Sequence, residues 1–248
     1  MRYAVVTDIG YRYKVNEDSY FVPDFQKSLN KENPLFIICD GVGGHNSGEI
    51  ASKFVVDFLS HEIYTELEQK NLNHNNFSVR MSQYIKDANR KLLQLSYSKK
   101  SYSNMSSTLV SAYFSNENIF IHSVGDSRIY RFENNQLNQL NEEHSLVWEL
   151  YKAGVIEKDE MRRHPKKNIV RMVIGYEERV EINSYSIELE KNDIFLLCSD
   201  GLTDLVSEKI IEDVLQMKIS IDEKIELLKT KALSAGGKDN ITIIIIEV

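Results

Sequence analysis

The chain has 248 residues, 42% of them hydrophobic, which is enough for a full core in one large domain. Its 37 acidic and 30 basic side chains leave a net charge of −7 with no dense Lys/Arg patch, which argues against general nucleic-acid binding. Met1 to Gly10 lacks the apolar stretch of a signal peptide and the run Ile241 to Ile246 is too short to cross a bilayer, so a soluble cytoplasmic protein away from the membrane is expected.

In chain order, Tyr3 to Asp8 reads as a first strand and Tyr11 to Tyr13 as a second, continued at Tyr20 to Pro23. Leu35 to Cys39 has no polar alternation, as suits a strand buried on both faces. The Asn46/Glu49 spacing of a capping box predicts a helix with Ile50, Phe54, Val55, Phe58 and Leu59 on one face. Asn71 to Asn76 is loop, and a second helix carries Val79, Ile85, Ala88, Leu92 and Leu95 inward. Thr108 to Phe114, Ile119 to Val124 and Arg128 to Phe132 form a meander. Short helical pieces fill Glu142 to Gly175, with Gly154 as a C-cap and Pro165 as a breaker, so this block has the look of an insertion. Strands return at Val180 to Ile187 and Ile194 to Cys198. Two more helices follow, the first capped near Ser207 and burying Ile210, Ile211, Val214 and Leu215, the second opened by Ser220 and Glu223. The strand Ile241 to Ile246 ends the chain. Strands in two groups and helices in two pairs predict an α+β fold of four layers, α-β-β-α, with two sheets packed together and a helix pair outside each.

The stretch LFIICDGVGGHNSGE, Leu35 to Glu49, drives an apolar strand into a carboxylate and a glycine-rich loop. It is not a phosphate-cradling nucleotide loop, because Gly48 is followed by Glu49 and Ile50 instead of Lys and Ser/Thr. A dinucleotide fingerprint fails at Asn46, and a cysteine phosphatase with its thiolate at Cys39 fails because His45 stands where its arginine belongs. Cys39 and Cys198 lie in apolar runs and read as buried packing, and no histidine pair has zinc-site spacing.

What survives is Asp40 beside the Gly41 carbonyl, and three further aspartates share its context. Asp200 follows IFLLCS, Asp126 follows IFIHSVG, and Asp239 precedes ITIIII, with Glu17 and Asp18 making another acidic site. If these strand ends converge, each close carboxylate pair repels by about 4 kcal/mol at an effective dielectric near 20, so a cation must be present. Oxygen donors alone point to Mg²⁺ or Mn²⁺, and more than three carboxylates point to more than one ion. Two such ions about 4 Å apart can activate a bridging water for in-line attack on a phosphoryl group.

These residues resemble the protein phosphatase 2C family of metal-dependent serine/threonine phosphatases, in its bacterial form. The likeness runs through TDIG (Thr7 to Gly10), NED (Asn16 to Asp18), DGVGGHNSGE (Asp40 to Glu49), GDSRIYR (Gly125 to Arg131), HSLV (His144 to Val147), SDGLTD (Ser199 to Asp204) and DNIT (Asp239 to Thr242). It implies a single phosphatase domain over 1–248, with 142–175 as a flap-like insertion beside the active site. By the resemblance, Asp40 bridges two ions, Asp200 and Asp239 complete the first, the Gly41 carbonyl serves the second, and Glu17 and Asp18 hold water ligands. Asp126 with Asp200 would hold a third. The resemblance also implies that a metal-bridging hydroxide would attack phosphorus directly, and His45 is the candidate acid for the leaving alkoxide.

The chain departs from the family pattern at Tyr13, where a phosphate-gripping arginine is expected. Arg12 and Lys14 flank it, and in a regular strand both point to the opposite face. Glu143 replaces a usual aspartate before HSLV, a minor change. Arg162, Arg163, Lys166, Lys167 and Arg171 surround His164-Pro165, either as solvated charges or as contacts to a phosphopeptide. The resulting expectation is a monomeric enzyme acting on phosphorylated proteins, opposed to a cognate serine/threonine kinase. The rivals are a low-turnover phosphoprotein-binding module on the same fold and a phosphatase of small molecules.

Overall fold

A strand without polar alternation must be covered on both faces, and each of the two central strands here has two covers. The computed structural model describes residues 1–43, 47–115 and 118–248. The strands are β1 (Arg2–Asp8), β2 (Asp18–Phe21), β3 (Leu35–Val42), β4 (Ser106–Ser107), β5 (Leu109–Ser115), β6 (Asn118–Val124), β7 (Arg128–Glu133), β8 (Gln136–Gln139), β9 (Asn183–Glu188), β10 (Ile194–Cys198) and β11 (Ile241–Glu247). The helices are α1 (Ser28–Glu32), α2 (Gly48–Glu68), α3 (Phe77–Ser98), α4 (Leu146–Lys152), α5 (Lys158–Met161), α6 (Asp200–Thr203), α7 (Glu208–Gln216) and α8 (Ile221–Ser234).

One sheet runs β1-β11-β10-β7-β8 and the other β2-β3-β5-β6-β9, with β4 paired to β3 and every pairing antiparallel. In β3, Phe36 and Ile38 face the other sheet, where they meet the cluster of Phe195, Leu197, Ile244 and Ile246. Their neighbours Leu35, Ile37 and Cys39 face α2 and α3 instead, among Val55, Leu59, Ile85 and Leu92. The same alternation sends Leu196, Cys198, Ile243 and Ile245 toward α7 and α8. Phe114 joins the sheets edge to face, its ring 5.7 Å from Phe36 and 5.6 Å from Phe195. The result is the expected α-β-β-α sandwich of two antiparallel sheets.

Several local expectations need correction. Tyr11 to Tyr13 is not a strand: β1 stops at Asp8, whose carboxylate accepts the Gly10 N–H at 2.8 Å, and the chain turns there. Gly10 has φ +70°, and a Cβ on it would meet the Asp239 carbonyl oxygen. Val79 is exposed, because the buried face of α3 runs through Phe77, Met81, Ile85, Ala88 and Leu92. Ile210 is also on the exposed side of its helix, and β9 begins at Asn183 instead of Val180. Ser47 is the N-cap of α2, and the Asn46 end of the expected capping box lies outside the described residues. The caps at Ser207 and at Ser220/Glu223 form as expected.

Candidate active site

Each acidic residue of the site is placed by the end of a strand whose body is locked in a core. Asp40 follows the buried Leu35 to Cys39, and its N–H donates to Thr108 Oγ1 at 2.9 Å while its carbonyl accepts the Thr108 N–H at 2.8 Å. Asp18, at the start of β2, is its cross-strand partner. Asp200 opens α6 directly after β10 and Ser199, and Asp239 lies just before β11. Asp126 sits in the turn between β6 and β7, after Gly125 at φ +97°. All these strand ends open on one side of the sandwich, where a cleft of about 660 Å³ has Glu17, Asp40, Asp126, Asp200 and Asp239 in its lining.

Hydrogen bonds stitch the two sheets together at this point. Ser199 Oγ donates to Asp18 Oδ2 at 2.8 Å, linking β10 to β2. Asn240 accepts the Glu17 N–H on Oδ1 at 2.8 Å and donates through Nδ2 to the Ile9 carbonyl at 2.9 Å. Neither Asn240 nor Ser199 has an expected chemical role, but both hold acidic residues in register. The only hint to Asn240 in the sequence is its place beside Asp239. Gly41 and Gly201, each next to a floor aspartate, are backed by main chain: a Cβ would meet the Gly48 carbonyl oxygen at one and the Asn240 carbonyl oxygen at the other.

The electrostatics ask for a cation. Burial raises Asp40 and Asp200 well above the usual carboxylate range, and the charges of Asp18 and Asp126 respectively add to it. Burial pushes Asp18 up to about 6 despite hydrogen bonds from Thr242 and Ser199, and Asp126 up to about 7 with the help of Glu143. Glu17 and Asp239 are raised too, again first by burial. Buried oxygens Asp18 Oδ1 and Asp200 Oδ1 have no hydrogen-bond partner among the described residues. Repelling carboxylates with orphaned oxygens fit hard divalent ions. No three His, Cys, Asp or Glu side chains among the described residues close around one ion unaided, so water, and at one ion the Gly41 carbonyl, would have to complete the shells.

Tyr13 lies at the cleft with its side chain partly exposed, and the Arg12 guanidinium sits over its ring, 5.4 Å from the centroid. Arg12 therefore does not point to an opposite strand face, because there is no strand, and its charge reaches Asp239. His45 lies outside the described residues. Glu143 is buried and pairs with Arg128 at 2.7 Å behind Asp126, a supporting role the sequence reading passed over as minor. Burial pushes the Cys198 thiol up to about 12 and raises Cys39 further, so neither is a thiolate nucleophile.

A sandwich with carboxylates and a main-chain carbonyl at one set of strand ends is the build of a metal-dependent hydrolase. The family model for protein phosphatase 2C matches residues 12–232. The chain is 38% identical to the serine/threonine phosphatase stp of Listeria welshimeri, over 97% of this chain and 93% of that protein. With the protein phosphatase PhpP of Streptococcus pneumoniae the identity is 34%, over 100% and 97%. Among solved structures, the serine/threonine phosphatase Stp1 from Staphylococcus aureus superposes with a TM-score of 0.90 at 33% identity, over 99% of this chain and 94% of that one. The catalytic domain of the phosphatase PstP, solved in complex with 2 manganese ions, superposes at 0.83 with 27% identity, over 98% and 96%. The chain belongs to the protein phosphatase 2C family.

Proposed function

We propose that this chain is a metal-dependent phosphatase that removes phosphate from serine and threonine side chains of proteins. The observation that carries the reading is the floor of mutually repelling carboxylates with two orphaned buried oxygens, at a cleft of about 660 Å³. Two Mn²⁺ or Mg²⁺ ions, held by Asp40, Asp200, Asp239 and the Gly41 carbonyl with Glu17 and Asp18 gripping their water, would supply an activated water and offset charge on the phosphoryl group.

The chain's own residues do the rest. Asp40 is fixed at both its N–H and its carbonyl by Thr108, so its carboxylate is pre-positioned and reorganises little. Burial and the charge of Asp239 hold Tyr13 above its ordinary value, so its hydroxyl keeps its proton and donates to a phosphate oxygen. Arg12, packed on that ring, adds positive charge to the same side of the cleft. His45 is assigned the proton for the leaving alkoxide on its place in the sequence and on the general-acid chemistry of an imidazole. Residues 142–175 form the flap-like insertion of a single 1–248 domain, a reading supported by Ile169, Val170 and Val173 at the cleft wall. The enzyme acts as a cytoplasmic monomer against a cognate kinase. No helix among the described residues is long and apolar enough to cross a membrane.

The test is phosphate release from a phosphothreonine peptide and from an aryl phosphate, by metal-stripped protein with Mn²⁺ added back, beside Asp200→Ala. Turnover restored by metal and reduced on the order of a hundredfold or more in the variant is expected. Metal binding without turnover on either substrate would overturn the reading in favour of a phosphoprotein-binding module, and turnover confined to the aryl phosphate would favour a small-molecule phosphatase.

A further inference from the structure

The block 142–175 meets the carboxylate floor at one charged point. Lys167 Nζ lies 2.5 Å from Asp204 Oδ2, with the two side chains 27% and 25% exposed. Asp204 caps the C-terminus of α6, the helix opened by Asp200, and its N–H donates to the Asp200 carbonyl at 2.8 Å. Behind the pair is a void of about 10 Å³ bordered by Asp126, Asp200, Asp204, Arg128, Arg162 and Lys167. That is room for about one water.

The cations around this void are not equivalent. Arg128, whose charge reaches Asp126, is held by Glu143 at 2.7 Å and donates to the Tyr130 hydroxyl at 3.0 Å. Arg162 donates to the Leu205 carbonyl at 3.3 Å. Lys167 is the one that, among the described residues, forms an ion pair with an aspartate of the group, and its charge also reaches Asp239. Asp204 in turn acts on both Asp126 and Asp200 through its charge. A Lys ammonium is a compact point charge on a flexible stem, so it can occupy a cation position and also withdraw from it.

We propose that Lys167 is the resident cation of this corner, and that its contact with Asp204 and a third metal ion at Asp126 and Asp200 exclude one another. The proposal rests on the reading of the floor as a metal site. An ion entering beside Asp126 and Asp200 would bring like charge against the ammonium across a void with room for about one water, so Lys167 leaves Asp204 toward solvent, on the side where it is exposed. The turn that carries Lys167, tied by its N–H to the His164 carbonyl, would lose its charged attachment to the floor at the same time. With Lys167 seated, the metal complement stays at two. Binding of a third ion and release of the insertion are thus one event, coupled with the same strength in both directions.

The experiment is Mn²⁺ titration calorimetry on the metal-stripped full chain, comparing wild type with Lys167→Arg, Lys167→Met, Lys167→Gln and the double variant Lys167→Met/Asp126→Asn. Hydrogen exchange over residues 158–171 is followed at low and high Mn²⁺. The expected result is two ions for wild type and Lys167→Arg. For Lys167→Met and Lys167→Gln it is a further ion, or a weakest ion bound at least tenfold more tightly, a gain lost in the double variant. In wild type, exchange over 158–171 should rise only at the Mn²⁺ concentration that fills a third site. Two ions of equal affinity in wild type and in both neutral variants would overturn the exclusion and leave the metal reading intact. A third ion bound as tightly by wild type as by Lys167→Met would overturn it as well, and no Mn²⁺ bound by any of the proteins would sink both readings together.

Discussion

The floor of the cleft and its wall, from residues 142–175, are built by opposite means. On the floor, Asp40 and Asp200 follow strands with both faces buried, and each adjoins a glycine pressed against a main-chain carbonyl. On the wall, α4 and α5 are short, Val155 and Ile169 are exposed, and the attachments are pairs such as Lys152–Glu142 and Arg171–Glu149 with both partners about half exposed. Exposed pairs of that kind contribute about 0–1 kcal/mol each. Floor geometry is therefore a property of the whole core, whereas the wall is anchored at its ends, by the Ser107–Ile174 bridge and the buried Val147, Met161 and Ile174, and its outer face rests on weak exposed pairs. The floor carboxylates thus sit in a fixed frame, and the exposed residues of the wall sit where substitution costs little.

The sharpest way to break this contrast is Asp40→Asn. Turnover should fall on the order of a hundredfold to a thousandfold, because a charge on which metal and phosphoryl group both depend is gone. The metal-free protein should at the same time become more stable, by about 1 kcal/mol or more, since a buried carboxylate facing Asp18, Asp200 and Asp126 becomes neutral. Activity assays and melting of the metal-free forms check both halves. A loss of stability would mean that the floor carboxylates are not in net repulsion.

A glycine pair tests floor against wall at constant chemistry. In Gly201→Ala the new methyl meets the Asn240 carbonyl oxygen, which belongs to the loop carrying Asp239, so Asp200 and Asp239 must move apart. A cost of about 2–3 kcal/mol and weaker Mn²⁺ binding should follow. Gly154→Ala, in the wall, meets nothing within 4 Å and is strained only by its φ of +70°. About 1 kcal/mol and unchanged metal affinity are expected there. Denaturant melts and Mn²⁺ titration separate the two cases, and equal metal affinities in both variants would contradict the contrast.

The same contrast explains what could be read from the sequence. Apolar runs that meet an aspartate are a local signal, and Asp40, Asp126, Asp200 and Asp239 do line one cleft. The caps at Ser207 and Ser220 are equally local and form as read. What the sequence did not reveal depends on partners far along the chain. Tyr11 to Tyr13 has the alternation of a strand, but Tyr11 donates to the Gly237 carbonyl at 2.7 Å and the segment turns around it. Asn240 looks like a turn residue until Glu17 and Ile9 are brought to it from the other end of the chain. Val79 has an inward-looking residue type, but it falls on the exposed side of α3 while Phe77 and Met81 take the buried face.

Tyr13 lines the same cleft as the floor carboxylates and residues 168–171 of the wall, and its replacement gives the smallest but most specific effect. Its hydroxyl can donate one hydrogen bond to a phosphate, while an arginine at the same point would offer a bidentate, charge-assisted pair. Tyr13→Arg should therefore lower the KM for a phosphopeptide by about threefold to tenfold with kcat changed by less than about twofold, because the gain applies to substrate and transition state alike. Tyr13→Phe should raise KM by a factor of a few, the worth of one hydrogen bond. Arg12 sets the competing outcome. It rests on the Tyr13 ring and its charge already reaches Asp239, so a second guanidinium at position 13 would crowd it. An unchanged or higher KM in Tyr13→Arg, together with a large rise in Arg12→Ala, would mean that the phosphate grip has moved one residue along the turn.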